Sequence, residues 1–194
     1  MDKSTAIKSF AMTNMLLEAD LDKIEHKYQI DLGRKSGQTN KIEESYFPQF
    51  DASLRAEAKR MARHYVVFYC LEKTIRQLIV DIFDSNGDED WWDNLVPTDV
   101  KENVKKSIKR EKEAAVTPRS TDPIDYTTFG ELGEIIKSNW TIFGGAVFNE
   151  RKALEKVMSA LNSLRNPIAH CSPLAEDEVL RLDLALRDWF RLVS

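Results

Sequence analysis

Apolar residues recur along most of the chain at spacings of three and four, which is the period of an amphipathic helix. Alternating, strand-like runs are hard to find, and glycine is scarce, with seven residues in 194. The pattern therefore predicts an all-α fold. The predicted helices cover residues 4–30, 52–83, 100–113, 128–138, 149–164 and 175–192.

The segment 52–83 has an apolar stripe wide enough for the centre of a helical bundle. Its expected core residues are Met61, Tyr65, Phe68, Ile75, Ile79 and Ile82, with Val67, Leu71 and Leu78 beside them. The stripe near the N-terminus is broken, and residues 31–40 read as a polar connection with two glycines. We therefore expect an N-terminal helical segment and linker over residues 1–50 and a principal domain over residues 51–194.

Two further features allow either a structural or a functional interpretation. The adjacent Trp91 and Trp92 either close the end of the core or offer a base-stacking platform, and we favour closure of the core. The segment 100–113 is rich in lysine, including Lys105, Lys106 and Lys109. Such a segment is usually a solvated helix face, and the functional alternative is a track for an RNA backbone.

Composition and charge narrow the class of protein. The chain is 42% apolar and 31% charged, with 28 Lys and Arg against 32 Asp and Glu, which gives a formal charge of −4. This composition is typical of a soluble globular domain. The negative net charge excludes binding of nucleic acid by broad neutralisation of its phosphates, so any site for a polyanion must be local. Two separated cysteines favour a reducing compartment and no metal site. Since no stretch approaches the roughly 18 apolar residues of a membrane span, we expect a cytoplasmic protein without membrane contact.

A chemically distinctive run, from Arg165 to His170, joins the last two predicted helices. Pro167 lacks an N–H and biases Asn166 away from helical geometry, so the helix is expected to break or kink here, and Asn166 can then cap the next turn. On an unbroken helix, Arg165 and His170 would point about 140° apart. A break would allow the cation and the imidazole to share one surface.

Arginine and histidine together suit the cleavage of RNA without a metal. Histidine can move a proton near neutral pH, and arginine can stabilise negative charge on the phosphoryl oxygens. One histidine cannot be acid and base at once, and neither His26 nor His64 has a comparable setting, so a two-fold dimer would have to supply the second His170. The structural alternative is a histidine bonded to a backbone carbonyl and a surface ion pair for Arg165.

The run Arg165-Asn166-Pro167-Ile168-Ala169-His170 resembles the signature of HEPN domains, in which Arg, four to six residues and His stand at the end of a helix in a bundle of four or five. The similarity covers residues 53–194 in an ordered set of segments. These include 65–83 with Leu71-Glu72-Lys73-Thr74-Ile75-Arg76, Trp91-Trp92, Val96-Pro97, 125–130, Asn139-Trp140 and Phe143. They are similar to the branch found in eukaryotic mRNA-surveillance endonucleases and bacterial defence proteins.

This resemblance implies a HEPN-type bundle with an extra N-terminal segment and a metal-independent endoribonuclease active as a homodimer. Carried over by position, Arg165 would bind the scissile phosphate, His170 would transfer protons, and Asn166 would orient the phosphate or His170. No cofactor is implied, and the partners are RNA and, for a toxin or antiviral-defence effector, an antitoxin or other partner protein. The alternative is a non-catalytic HEPN scaffold that binds a nucleotide or another protein.

Glu72 falls on the apolar stripe of the segment 52–83, and a buried carboxylate needs a partner. Either Arg76, four residues further on, pairs with it, or, as the resemblance implies, it contacts Arg165 or His170. Cys171 is expected to be a small packing residue rather than a nucleophile.

Overall fold

Eight α-helices make up most of the chain that this computed structural model describes, which is residues 3–28 and 46–193. Within those ranges there is no strand, only one isolated bridge between Gly144 and Phe148. The prediction of an all-α fold is confirmed. In chain order the helices are α1 (Lys3–Tyr28), α2 (Ala52–Ser85), α3 (Trp91–Leu95), α4 (Thr98–Glu113), α5 (Phe129–Ser138), α6 (Trp140–Phe143), α7 (Arg151–Ala169) and α8 (Glu176–Leu192).

The chain divides into two compact units, Met1–Asp51 and Ala52–Ser194. The first contains α1, whose side chains Phe10, Met15 and Leu17 are exposed. The expected connection at residues 31–40 and the side chain of His26 lie outside the described residues. No helix in the described ranges is long and apolar enough to cross a membrane.

In the second unit, α2 forms the centre and packs against α5, α6 and α7, while α7 also packs against α5 and α8. Four of its apolar residues, one or two per turn, are buried as the stripe predicts, namely Phe68, Leu71, Ile75 and Ile79. Burial of each such side chain contributes about 1.5–3 kcal/mol. Tyr65, which the pattern predicts to be buried, is 60% exposed, although His64 just before it is buried.

The helix ends show how local sequence fixes the bundle. Thr128 caps α5, and it forms a capping box in which its side chain accepts from the Glu131 N–H while the Glu131 carboxylate accepts from the Thr128 N–H. Trp91 stacks on Phe83 at 5.0 Å between ring centroids, and Trp92 also packs against the core. The two tryptophans therefore close the core, as the structural interpretation predicted.

The predicted break at Pro167 is wrong, because α7 continues through it to Ala169. Pro167 lies in the last turn of α7, where its missing N–H leaves only the carbonyl of the exposed Ser163 without its usual donor. The predicted cap at Asn166 is therefore absent, and Asn166 is helical.

His64 extends the core stripe of α2 with a titratable side chain that is buried. Burial, followed by the charge of the neighbouring Arg63, lowers the pKa of this imidazole below its usual value. The folded state therefore takes up the proton at lower pH than the unfolded chain does. Stability contributed by neutral His64 is present at high pH and is lost as the pH falls below about 6.5.

We predict that the free energy of unfolding falls between pH 7.5 and 5.0 and that part of this fall disappears in His64→Leu and in His64→Gln. Both variants remove the proton-binding group, but only Leu matches the apolar stripe, so the pair separates titration from packing. The measurement is urea unfolding at each pH. An unchanged pH slope in both variants would show that His64 does not carry the effect.

Candidate functional site

The Glu72 carboxylate joins two arginines from different helices. Its Oε1 accepts from the Nε of Arg165 on α7 at 3.0 Å, and its Oε2 accepts from Nη2 of Arg76 on α2 at 3.0 Å. Exposure of the side chains is 14% for Glu72 and Arg76 and 31% for Arg165. The sequence left open whether Glu72 pairs with Arg76 or contacts Arg165 or His170. Glu72 pairs with both arginines, and His170 is not among its partners.

The two arginines keep part of their hydrogen-bonding capacity. Nη2 of Arg76 also donates to the carbonyl of Thr127 at 2.8 Å, while its Nε is buried and has no hydrogen-bond partner among the residues that the structure describes. Arg165 uses its Nε for Glu72, and a guanidinium has four further N–H donors on its two terminal nitrogens. Glu72 thus positions Arg165 and leaves the fork that suits a phosphate available.

A cavity of about 310 Å³ opens beside this cluster, between α2, the end of α7 and the segment before α5. Its walls carry two aromatic residues, Tyr65 and Tyr69, and an apolar floor that includes Phe68 and Ile168. The ionisable groups in the lining are Lys73, Arg76, Arg119, Arg165, Glu72 and Asp125. Four cations against two carboxylates make this a basic pocket in an acidic chain.

Lys73 and Arg119 are each held by one carboxylate. Nζ of Lys73 lies 3.3 Å from Oδ1 of Asp125, and Arg119 pairs with Glu111. Burial alone would raise the pKa of Asp125, but hydrogen bonds from Ser120 and Lys73 and the positive charges nearby lower it below its usual value. Asp125 is therefore ionised at neutral pH, and the cations at the wall are partly neutralised.

The end of α7 explains the position of His170. His170 is the C-terminal cap, and Cys171 after it has a φ of 56°, in the left-handed region that usually takes glycine. The N–H of Ser172 donates to the carbonyl of Pro167 at 2.8 Å, and that of Cys171 donates to Ile168 at 3.3 Å. These are the two bonds of a Schellman motif, so the helix ends here because of its backbone and not because of the proline.

The sequence-predicted site residues are therefore only partly brought together. Arg165 and Glu72 line the cavity, whereas His170 and Asn166 are exposed and do not line it. Among the described contacts of one chain, no hydrogen bond joins His170 to Arg165. Cys171 is exposed, so the expectation of a packing role for it is wrong.

The lysine-rich face of α4 lies apart from this cavity. Lys105, Lys106 and Lys109 are exposed and do not line it, and Lys109 pairs with Glu113 at 3.6 Å. In the described parts of the chain, no three His, Cys, Asp or Glu side chains are grouped so that they could hold a metal ion.

The bundle, with Arg165 and His170 at the end of its penultimate helix and Glu72 facing Arg165, defines a HEPN-type domain. The chain belongs to the Swt1-like HEPN family, whose family model matches residues 66–194. No curated protein and no solved structure matches the chain significantly.

Sequence reasoning missed Tyr69, Lys73, Arg119 and Asp125 as residues of the site. Tyr69 and Lys73 lie one and two turns after Tyr65 on α2, and this spacing was a usable signal. Arg119 and Asp125 come from the connection before α5, whose position depends on its packing against α4.

We predict that Glu72 and Arg165 are energetically coupled. In a double-mutant cycle with Glu72→Gln and Arg165→Gln, the coupling energy should be about 1–2 kcal/mol, because the bond is charged and partly buried. Urea unfolding of the four proteins measures it.

The matched control is the pair Arg151–Glu155, which has the same Nε to Oε1 distance of 3.0 Å but side chains 49% and 43% exposed. Its cycle should give about 0.5 kcal/mol or less. Equal coupling in the two cycles would contradict a special role for the buried carboxylate.

Proposed function

We propose that this protein is a metal-independent endoribonuclease of HEPN type that acts as a homodimer. The observation that carries the proposal is that Glu72 holds Arg165 at a basic cavity while the end of α7 presents His170 to solvent, within a Swt1-like HEPN domain. The HEPN resemblance implies ribonuclease activity, and the exposed motif supports it.

Catalysis of this reaction requires the protein to transfer protons, to stabilise negative charge on the phosphate and to orient the reacting groups. The 2′-hydroxyl of the ribose loses its proton and attacks the adjacent phosphorus, and the bond from phosphorus to the 5′-oxygen breaks as that oxygen gains a proton. His170 moves a proton, the terminal nitrogens of Arg165 offset the charge on the phosphoryl oxygens, and Asn166 orients the phosphate or His170. The products are a 2′,3′-cyclic phosphate and a 5′-hydroxyl.

A dimer supplies what one chain lacks. A single His170 cannot remove one proton and donate another in the same step, and it lies outside the cavity that Arg165 lines. A two-fold axis near His170 would bring two imidazoles and two arginines to one cleft. The exposure of Asn166, His170 and Cys171 leaves this surface open for such an approach.

The biological setting belongs to the same proposal. The HEPN branch that the chain resembles includes bacterial defence proteins, which supports a toxin or antiviral-defence effector in the cytoplasm, with an antitoxin or another protein as a regulator. Lys105, Lys106 and Lys109 offer an additional exposed basic face for the RNA backbone.

A second candidate is a non-catalytic HEPN module that binds a nucleotide or a partner protein. It is favoured by one observation, the bond between Arg165 and Glu72 in a chain whose His170 lies outside the cavity. In that case the pair would serve the stability of the bundle alone.

We predict that the purified protein cleaves single-stranded RNA in the presence of EDTA and leaves 2′,3′-cyclic phosphate ends. His170→Ala should reduce the rate by about 10²-fold or more, because general acid–base catalysis contributes that much. Cys171→Ser, which changes the next residue along the chain, is the matched control and should cleave like the unchanged protein. Cleavage by His170→Ala at the full rate would reject the catalytic assignment.

We also predict that the full chain has twice the mass of one chain in light scattering. Cleavage per chain should fall on dilution below the dissociation constant of the dimer, because each site needs two copies. A monomer that cleaves RNA with a rate per chain independent of concentration would contradict the shared site.

A further inference from the structure

We propose that Tyr65 and Tyr69 form a stacking subsite for the bases of single-stranded RNA beside Arg165. The inference rests on the proposed function, in that RNA is the ligand, and it adds how the substrate is held. Both rings are in water, with Tyr65 60% and Tyr69 56% exposed. They lie one helical turn apart on α2, with centroids 6.3 Å apart and ring planes inclined by 39°.

These tyrosines share one side of α2 with two cations. At 100° per residue, Tyr65, Tyr69, Lys73 and Arg76 fall within an arc of about 80°. All four line the cavity that Arg165 also lines. Along this side of α2 the two tyrosines come first and the two cations follow. Arg165 on α7 faces the place where the tyrosines give way to the cations.

Single-stranded RNA is the ligand whose chemistry fits this order. Its bases stack on aromatic rings, and its phosphates pair with arginine and lysine. An apolar peptide would offer no anion to the terminal nitrogens of Arg165, whereas a folded duplex would keep its bases from the rings. A base on the tyrosines leaves the attached phosphate to reach the free terminal nitrogens of Arg165.

The adjacent tryptophans of α3 are not available for this purpose. Trp91 and Trp92 are partly buried against the core, and the Nε1 of Trp91 donates to Asp84 at 3.1 Å. Among the described contacts, the hydroxyls of Tyr65 and Tyr69 make no hydrogen bond, and their ring centroids lie 6.3 Å apart. Because both rings are exposed, they leave apolar surface unburied, and no described contact of their hydroxyls compensates for this.

The test measures binding apart from cleavage. The probe is a fluorescent 12-nucleotide single-stranded RNA with 2′-O-methyl groups, which lacks the attacking hydroxyl, and the readout is anisotropy with the full chain. Tyr69→Leu and Tyr65→Leu should each bind about 5- to 150-fold more weakly, the range for loss of one stacked base. Tyr69→Phe keeps the ring and should bind like the unchanged protein.

Two controls separate stacking from other effects. Phe190→Leu removes a ring on α8 that is equally exposed, at 60%, but lies away from the cavity, so it should leave binding unchanged. Lys73→Gln should reduce the dependence of binding on salt, whereas the leucine variants should weaken binding with the salt slope kept, because a ring releases no counterions.

Three results would overturn the subsite. They are binding of both leucine variants at full strength, equal losses in Tyr69→Phe and Tyr69→Leu, and dissociation of a dimer on replacement of either tyrosine, which would make the pair an interface between copies. Failure of the enzyme proposal gives a different pattern. If the unchanged protein binds the probe in the predicted manner but cuts no RNA, the subsite stands and the catalytic assignment falls.

Discussion

The carboxylate of Glu72 is the constraint on which the site depends, because it carries charge on the otherwise apolar stripe of α2. A buried carboxylate is costly unless it is paired and hydrogen-bonded, and two guanidinium groups meet that requirement here. The bonds tie α2 to the last turns of α7 and, through Arg76 and the Thr127 carbonyl, to the start of α5. The position of Arg165 at the cavity is thus a consequence of how the bundle satisfies one charge.

The end of α7 sets a second constraint, which is the direction in which Arg165 and His170 face. The helix is unbroken from Arg165 to Ala169, so Arg165 turns toward α2 while His170 begins the chain reversal on the outside. The backbone bonds around Cys171 fix that reversal. An inward-facing arginine and an outward-facing histidine at one helix end do not make a complete phosphate-cleaving site in a single chain, which is why the proposed function requires a second copy.

Much of the fold could be predicted from the sequence, since α2, α4, α5 and α8 follow from apolar spacing. The cap at Thr128 and the bond between Glu72 and Arg76 are local effects, whereas Arg165 lies 93 residues from Glu72 and its contact with Glu72 was implied only by the resemblance. The end of α7 could not be predicted, because a non-glycine residue takes the left-handed position and the helix continues through Pro167 to Ala169. The cavity was also out of reach, since it forms only where α2, α7 and the connection carrying Arg119 and Asp125 meet.

The negative net charge of the chain limits how the cavity could bind a phosphate-bearing ligand. A formal charge of −4 cannot concentrate RNA over the whole surface, and most cations of the cavity already share a carboxylate. What remains for a phosphate is a small number of guanidinium nitrogens, which act over roughly 8 Å at physiological salt. For the RNA ligand that we propose, affinity would then depend on contacts that carry no charge, and the exposed rings of Tyr65 and Tyr69 at the cavity are placed to supply them.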